Sequence, residues 1–350
     1  MEREILRKLH NHEELGDKDL LFLLTNENSE TDEVLREKAD NLRKECFGNN
    51  IYIRGLIEIS NICSCDCYYC GLRCSNRKVS RYRLSDRDIL SRCAYGYDLG
   101  FRTFVLQGGE DPDFTDYRLQ SLIYNIKSEY PDCAVTLSLG ERSKESYRSL
   151  FSSGADRYLL RHETADSAHY SLLHPESQRF ENRMRCLYDL KEAGFQTGCG
   201  FMVGSPYQTY SHIIKDIKFM EEFKPEMIGI GPFIPAAGTP FAGEKTGSTD
   251  LTLKVLSIVR YMLPDVLLPA TTALFTLDGS YNRGILAGAN VIMPNLNPPE
   301  IREKYMIYNG KGGVKNTTDN NLSILKDSLK EIECEISVSR GDYRKKEIYV

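Results

Sequence analysis

The sequence has no long apolar run and no segment typical of a protein that enters or crosses a membrane. None of its 350 residues lies in a run of about 18 consecutive apolar residues, so no membrane-spanning helix is expected. The first residues, MEREILRKLHNHEELGDKDL, have neither the apolar centre nor the small-residue cleavage site of a secretion signal. We therefore expect a cytoplasmic protein with no membrane partner.

An excess of basic charge is also missing. The chain has 45 Lys and Arg against 50 Asp and Glu, which gives a net charge of −5. Proteins that bind nucleic acid usually carry a basic domain or patch, so we expect no nucleic-acid partner. The hydrophobic fraction of 41% and the charged fraction of 27% are close to those of globular proteins, which predicts a large folded core.

Apolar runs typical of strands alternate with segments typical of helices. Ser85 and Ser143 are N-cap candidates, and Gly100, Gly154 and Gly194 mark helix ends. Eight strand–helix units predict an α/β fold, a (β/α)8 TIM-type barrel. The predicted strands are residues 51–60, 103–107, 134–139, 157–161, 196–203, 226–231, 266–270 and 290–294.

Further segments are expected on both sides of the predicted barrel. Residues 1–48 are helical in pattern and predict an N-terminal helical extension, whereas residues 49–350 would form the barrel. The segment from Pro298 onward has weaker periodicity and is expected to cap one barrel end. Chemistry in such barrels lies at the carboxyl ends of the strands, where this sequence has its polar clusters.

The cysteines are unevenly distributed. Five of the eleven lie between residues 63 and 74, in the stretch NICSCDCYYCGLRC that follows the first predicted strand. Cys63, Cys67 and Cys70 have C-x3-C-x2-C spacing. Thiolates bind iron–sulfur clusters, and three ligands leave one iron of a cubane open to another molecule. A disulfide framework would instead spread its cysteines along a small secreted chain.

Zinc is the alternative metal. Cys67 and Cys70 could form half of a zinc site, which Cys63, Cys65 or Cys74 would complete. Structural zinc sites usually pair two such knuckles, and the sequence has no second one, so the spacing favours iron and sulfur. A non-catalytic scaffold that binds zinc or an iron–sulfur cluster remains an alternative function.

The cysteine loop resembles the signature of radical S-adenosylmethionine (SAM) enzymes. More specifically, the chain is similar to the HydE family of FeFe-hydrogenase maturases, and less so to biotin synthase and methylornithine synthase. The similar stretches run in order through residues 58–295: EISNIC, YYCGLR, RYRLS, LQGGEDP, VTLSLGE, GADRYLLRHETA, FENRMRCL, MVGSPYQT, IGIGPFIPAAGTP, PATTA and GANVIMPN.

The resemblance implies one 4Fe–4S cluster on Cys63, Cys67 and Cys70, with SAM bound to the open iron and cleaved reductively to a 5′-deoxyadenosyl radical. Arg183 would pair with the SAM carboxylate, and Arg161 would hold an anionic group of the substrate. The implied SAM-binding residues are Tyr69, Gly108, Gly109, Glu110, Ser138, Glu163, Arg183, Met202 and Ile230. The implied substrate residues are Arg161, Thr271, Thr272, Tyr305 and Tyr308.

Each of these roles has a structural alternative. Arg161 and Glu163 could form an internal salt bridge, and Arg183 could be a solvated charge on a helix. Thr271 and Thr272 could be ordinary strand residues. Similarly, Tyr305 and Tyr308 could simply pack a helix.

The family also implies a function. The radical would act on a cysteine-bound iron complex with carbonyl and cyanide ligands during assembly of the hydrogenase H-cluster. The maturase HydG would supply this substrate, the scaffold HydF would accept the product, and a low-potential donor would provide the electron. The late stretch YNGKGGVKNTTDNNLSIL has no cysteine, so a single cluster is expected. A radical SAM amino-acid mutase resembling methylornithine synthase is the alternative enzyme.

Overall fold

The structure, a computed structural model, describes residues 1–26, 28–311 and 317–345. Its strands are β1 (Asn50–Ile53), β2 (Gly55–Ser60), β3 (Thr103–Gly108), β4 (Ala134–Ser138), β5 (Arg157–Leu159), β6 (Gln196–Cys199), β7 (Met202–Val203), β8 (Met227–Ile228), β9 (Gly231–Pro232), β10 (Val291–Ile292) and β11 (Glu335–Ser337). Its helices are α1 (Glu2–Asn11), α2 (Asp17–Thr25), α3 (Ser29–Phe47), α4 (Asp86–Asp98), α5 (Asp116–Glu129), α6 (Lys144–Ser152), α7 (Ser167–Leu173), α8 (Phe180–Ala193), α9 (Tyr210–Phe223), α10 (Thr249–Met262), α11 (Thr272–Asp278), α12 (Asn282–Leu286), α13 (Pro299–Arg302) and α14 (Thr318–Lys330).

Parallel strands form a closed ring. Six of them pair in the order β2-β3-β4-β5-β6-β8. Met227 of β8 bridges to Leu267, Pro269 bridges to Val291 of β10, and Leu56 of β2 bridges to Asn295, all in parallel. The bridges at residues 267 and 269 and those at residues 291 and 295 add a seventh and an eighth strand position and close the ring. The predicted (β/α)8 barrel is therefore confirmed.

Four predicted strands differ from the observed ones. The first is divided at Arg54, because β1 pairs with β10 and β11 whereas β2 pairs with β3. The fifth stops before Gly200, whose φ is +149° and where a Cβ atom would lie 2.1 Å from the Gly229 carbonyl oxygen. Beyond this turn β7 pairs with β9, so residues 226–231 are also divided. Residues 266–270 contribute only isolated bridges.

The helix signals in the sequence are confirmed where they were clearest. The Ser85 hydroxyl accepts a hydrogen bond from the Asp88 amide, and Ser143 caps α6 in the same way. Helix α8 ends at Gly194, whose φ of +101° is the left-handed conformation that glycine adopts without strain. These local caps direct each helix back along the outside of the ring.

The two ends of the chain pack on different parts of the barrel. Helix α3 lies along α10, and α2 contacts α9 and α10. At the other end, β11 pairs with β1 at the amino ends of the strands, and Arg157 donates to the Arg340 carbonyl oxygen at 2.8 Å. Residues 305–311 lie instead over the carboxyl ends, so the segment after Pro298 covers both ends of the barrel rather than one. No described helix is long and apolar enough to cross a lipid bilayer.

Candidate active site

A cavity of about 330 Å³ opens at the carboxyl ends of the strands. The predicted cluster, SAM and substrate residues thus share one space. Ile230 is the exception: it is fully buried in the main hydrophobic core, whereas its neighbours Gly229 and Gly231 line the cavity. The predicted residues that line the cavity are Cys63, Cys67, Tyr69, Cys70, Gly108, Gly109, Glu110, Ser138, Arg161, Glu163, Arg183, Met202, Thr271, Thr272, Tyr305 and Tyr308.

The cysteine loop begins directly after β2 and closes against the turn after β3. The Glu110 amide donates to Cys63 Sγ at 3.3 Å, and the Ser64 amide donates to the Glu110 carbonyl oxygen at 3.0 Å. A Cβ atom at Gly109 would lie 2.4 Å from the Ile62 carbonyl oxygen and 2.5 Å from the Cys63 Cβ atom. Only glycine permits this approach, which brings the Cys63 thiol to the cavity wall.

The three thiols differ in their surroundings. Hydrogen bonds from the Cys65 side chain, and then from the Cys65 and Glu110 amides, lower the pKa of Cys63 to about 7. Burial raises the pKa of Cys67 to about 11 and also raises the pKa of Cys70. The Gln178 amide nitrogen lies 3.3 Å from Cys67 Sγ and donates to it. Donors around a sulfur favour the thiolate, which is the form that binds metal.

An acidic residue inside the loop fixes its shape. Asp66 pairs with the guanidinium of Arg73, and the amide and hydroxyl of Ser75 donate to its carboxylate. The hydrogen bond from Arg73 holds the pKa of Asp66 well below its usual range. The Cys74 amide also donates to the Cys65 carbonyl oxygen at 2.9 Å. Among the described residues, no three His, Cys, Asp or Glu side chains lie close enough together to hold a single metal ion.

Arg183 is held inside the site from α8. Its side chain is 7% exposed, so it is not a solvated surface charge. Its Nε donates to Glu141 Oε1 at 2.6 Å, and its Nη1 donates to the Arg161 carbonyl oxygen at 2.6 Å. Glu141 follows β4, and its amide donates to Glu110 Oε1 at 2.9 Å. The guanidinium is thereby positioned from two neighbouring strand ends and faces the cavity.

Arg161 and Glu163 meet across the end of β5, with Arg161 Nη2 3.3 Å from Glu163 Oε2. The salt bridge is therefore present, but both residues also line the cavity. Glu163 has a φ of +66°, a rare conformation for a non-glycine residue and one that functional sites often contain. His162 between them accepts from the Gly200 amide at 3.1 Å and lies 3.3 Å from Asp216, so neighbouring elements hold this backbone.

The predicted substrate residues come from the later elements. Thr271 is not a strand residue: its hydroxyl caps α11 by accepting from the Leu274 amide at 3.4 Å, and Thr272 begins that helix. Tyr305 lies outside any helix, and its hydroxyl accepts from Gln107 Nε2 at 3.3 Å. The Tyr308 hydroxyl is buried and makes no hydrogen bond to any residue that the structure describes.

Several functional candidates have no signature in spacing and are evident only in the structure. Three such residues line the cavity: the uncharged Gln107 and Gln178, and Lys311, which belongs to no recognisable sequence motif. Arg54 and Glu58 have a signal in the sequence, since both are charged residues within the otherwise apolar run IYIRGLIEIS. Arg54 is 5% exposed and lines the cavity.

The cavity wall carries polar atoms without partners. Burying such atoms costs free energy, and few are found in native structures, so a group of them indicates a place for a polar ligand. Together with the three thiols, they fit an iron–sulfur cluster and a charged, zwitterionic molecule such as SAM. Among the described residues, the buried atoms of this wall without a hydrogen bond are Arg54 Nε and Nη2, Thr136 Oγ1, Arg161 Nε and the Tyr308 hydroxyl. Arg161 Nη2 and Glu163 Oε2 also lack one and have only their ion pair with each other.

Comparison with known proteins gives independent information on this cavity. Residues 57–220 match the profile of the Radical SAM superfamily. The [FeFe] hydrogenase maturase subunit HydE of Thermotoga maritima is 43% identical over 310 residues, which are 88% of each chain. The 3-methylornithine synthase of Methanosarcina acetivorans is 31% identical over 281 residues, covering 80% of this chain and 79% of that enzyme.

A solved structure supports the same relationship. The crystal structure of methylornithine synthase (PylB) superimposes with a TM-score of 0.81 and 25% sequence identity, over 95% of this chain and 97% of that one. The matched profile begins in β2 and ends in α9, so it contains the cysteine loop and the ends of the first five ring strands.

Proposed function

Since this chain belongs to the radical SAM superfamily, and within it to the HydE family, we propose that it is a maturase that takes part in assembly of the FeFe-hydrogenase H-cluster. Its substrate would be a cysteine-bound iron complex with carbonyl and cyanide ligands. The observation that carries this proposal is one cavity that is lined both by the three cysteines and by Arg54, Arg161 and Tyr308, whose side chains have donors without hydrogen bonds among the described residues. The name of the 43% identical relative supports the same role.

Within this proposal, Cys63, Cys67 and Cys70 hold one 4Fe–4S cluster, and the neighbouring strand ends hold SAM. When bound, these two groups supply a 5′-deoxyadenosyl radical. The Glu110 turn and Ser138 would orient the amino-acid part and the ribose, and Arg183, already positioned by Glu141, would donate hydrogen bonds to the carboxylate. Tyr69, Glu163 and Met202 would complete the pocket.

The same cavity has groups that suit an anionic substrate. Arg161 has two nitrogen atoms without hydrogen bonds, and a planar guanidinium binds carboxylate or other anionic groups in two-point contacts. Thr271 and Thr272 add hydroxyl groups from the start of α11, and the buried Tyr308 hydroxyl lies without a geometrically good hydrogen bond among the described residues. We assign substrate positioning to these residues and to Tyr305.

The proposal includes partners and a compartment. A HydG maturase would supply the iron complex, a HydF scaffold would accept the product, and a low-potential donor would deliver one electron. All of these steps belong to the cytoplasm.

The first experiment tests the cluster and SAM cleavage. Wild type, Cys67→Ala and the matched control Cys74→Ser are reconstituted anaerobically and assayed for iron, sulfide and zinc. Dithionite and SAM are then added, and 5′-deoxyadenosine is measured. We expect the product from wild type and Cys74→Ser only. Zinc without iron, or a filled cluster that leaves SAM intact, would support the scaffold alternative and contradict the proposal.

A second experiment tests the substrate. The gene is returned to a strain that lacks its HydE but has the other maturases, and hydrogenase activity is measured with wild type and Cys67→Ala. We expect wild type alone to restore activity. The likeness to methylornithine synthase makes lysine the alternative substrate, so purified enzyme is also incubated with lysine. Formation of methylornithine without restored hydrogenase would favour the mutase.

A further inference from the structure

A basic turn lies on the outer side of the cysteine loop. Residues 73–83 contain five basic residues and no acidic one, in a chain whose net charge is −5. Arg73 and Arg83 pair with acidic residues, and Arg81 donates to four backbone carbonyl oxygens. Arg77 and Lys78 are both exposed, and neither has an ion pair within the described residues.

This turn is coupled closely to the loop that holds the thiols. The exposed Cys74 donates its amide to the Cys65 carbonyl oxygen at 2.9 Å, and Ser75 contacts Asp66. A single hydrogen bond therefore joins the exposed residue Cys74 to Cys65, which lies between the proposed cluster ligands Cys63 and Cys67. These hydrogen bonds connect the exposed turn directly to the loop that would hold the cluster.

A small aromatic cluster lies beside the basic turn. Asn76 Nδ2 donates to the Ala237 carbonyl oxygen at 3.1 Å, which joins the basic turn to the loop that contains Phe241. Phe241 meets Tyr68 edge-on at 6.1 Å and Tyr207 at 6.2 Å. Tyr207 is 60% exposed and has a φ of +63°, so the backbone holds an aromatic ring at the surface in a rare conformation.

Small exposed residues surround Phe241 in the sequence of the same loop. Residues 237, 238, 240, 242 and 243 are Ala, Gly, Pro, Ala and Gly, and all are exposed. Glu244 and Lys245, which follow on the same loop, offset each other in charge. The cluster-side patch, defined as Cys74, Ser75, Arg77, Lys78 and Tyr207, thus combines an exposed aromatic residue with two exposed basic residues. Aromatic residues and arginine are enriched in protein interfaces.

We propose that the cluster-side patch docks a small acidic electron-carrier protein that reduces the centre behind the cysteine loop. The proposal rests on the proposed function, because only a redox centre in the loop requires such a partner. One electron is exchanged: the carrier is oxidised by one electron and the centre is reduced by one, and no bond or proton is transferred. Charge complementarity selects the occupant, since an acidic surface is attracted to Arg77 and Lys78.

The test measures binding of a bacterial flavodoxin, an acidic one-electron carrier, to the reconstituted full chain. Arg77→Glu/Lys78→Glu is compared with Arg3→Glu/Lys18→Glu, which reverses two exposed charges on the N-terminal helices and changes the net charge equally. Calorimetry at low ionic strength should show Kd raised about tenfold for the first variant only, a difference that reversal of edge charges commonly produces. About 0.5 M salt should remove most of that difference, because it screens exposed charges.

Dithionite separates this inference from the proposed function, because a small reductant needs no docking surface. With dithionite, wild type and both double variants should form 5′-deoxyadenosine equally, whereas with reduced flavodoxin the Arg77→Glu/Lys78→Glu variant should be slower. Equal Kd values for all three proteins, or an equal loss in both double variants, would overturn the docking inference alone. Failure of wild type with dithionite would instead reject the proposed function.

Discussion

Lys311, which lines the cavity, forms an ion pair with Glu58, with Nζ 2.7 Å from Oε1. The two side chains are only 6% and 0% exposed, and Asn295 donates to the other carboxylate oxygen at 2.8 Å. Glu58 lies in β2, whereas Lys311 ends the segment that covers the carboxyl ends of the strands. The pair therefore attaches the cover of the cavity to the ring.

Removing one member of this pair should destabilise the chain more than removing both. Lys311→Met leaves the Glu58 carboxylate buried without its cation, and we expect the free energy of unfolding to fall by about 3 kcal/mol. Glu58→Gln/Lys311→Met should recover most of that loss. Urea unfolding followed by circular dichroism measures both, with the exposed Lys326→Met as the matched control. A double variant as unstable as Lys311→Met would show that the ion pair is not the cause.

The contact between Gly109 and the cysteine loop predicts a specific loss of iron. In Gly109→Ala the new methyl group would overlap the Ile62 carbonyl oxygen and the Cys63 side chain, so the loop must move away from the cavity. We expect the variant to fold but to retain less than about half of the iron and sulfide, since a shift of ~1 Å disrupts a positioned site. Iron and sulfide per chain are measured after anaerobic reconstitution.

Gly243→Ala is the matched control for this change. A Cβ atom at Gly243 meets nothing within 4 Å, so this variant should bind iron as wild type does. Equal iron content in Gly109→Ala and wild type would show that the loop accommodates the methyl group.

Local patterns in the sequence predict the ring because strand burial and helix caps depend on neighbouring residues. Helix α8 and its stop at Gly194 are an example, since cap and periodicity lie within one segment. The interruptions at Arg54 and Gly200 depend on which strand lies alongside, and an apolar run does not contain that information. The cover formed by residues 305–311 likewise depends on contacts distant in sequence, such as Tyr305 with Gln107.

The candidate site also contains residues that the sequence predicts and residues that only the structure shows. Cysteine spacing and the resemblance bring the thiols, Arg161 and Thr271 to one cavity, whereas Glu141 is evident only from its contact with Arg183. Neutral or single polar residues such as Gln178 have no periodicity or spacing that marks them. The roles of Arg183 in binding SAM and of Arg161 in binding substrate stay predictions.

Burial of His174 predicts a loss of stability in mild acid. Its Nδ1 lies 3.0 Å from the Tyr170 carbonyl oxygen and its Nε2 3.2 Å from the Tyr69 hydroxyl, so the ring is held neutral. Burial, and then the charge of Arg183, lower the pKa of His174 to about 3. In the unfolded chain the pKa is about 6.5, so the unfolded state takes up the proton first as the pH falls.

The stabilising effect of neutral His174 is therefore complete above about pH 6.5 and is lost progressively below it. We expect this residue to account for about 2 kcal/mol of lost stability between pH 7 and pH 5. Urea unfolding of wild type and His174→Gln at pH 5, 6 and 7 measures the difference in slope. His10→Gln, at an exposed position, is the control and should leave the slope unchanged. Parallel slopes for wild type and His174→Gln would contradict the assignment.

Arg183 and Arg161 are expected to act on different molecules although both line the same cavity. Arg183→Gln removes charged hydrogen bonds worth about 1.5–3 kcal/mol, so Kd for SAM should rise roughly 10- to 100-fold. Arg161→Gln should leave SAM binding and dithionite-driven cleavage nearly unchanged but should abolish rescue of hydrogenase activity. Equilibrium binding of SAM to the reconstituted proteins and rescue of the deletion strain measure the two effects.

Arg185→Gln is the matched control for Arg183→Gln, because Arg185 lies on the same helix with its side chain 64% exposed. Since Arg183→Gln also leaves Glu141 without its cation, urea unfolding must show that the variant is folded under the conditions of the binding assay. If a folded Arg183→Gln variant bound SAM as tightly as wild type, the role of Arg183 would be limited to its hydrogen bonds with Glu141 and the Arg161 carbonyl oxygen. Loss of SAM binding in Arg161→Gln would instead show that the two arginines serve one ligand, because the cavity would then have no separate anionic subsite beyond SAM.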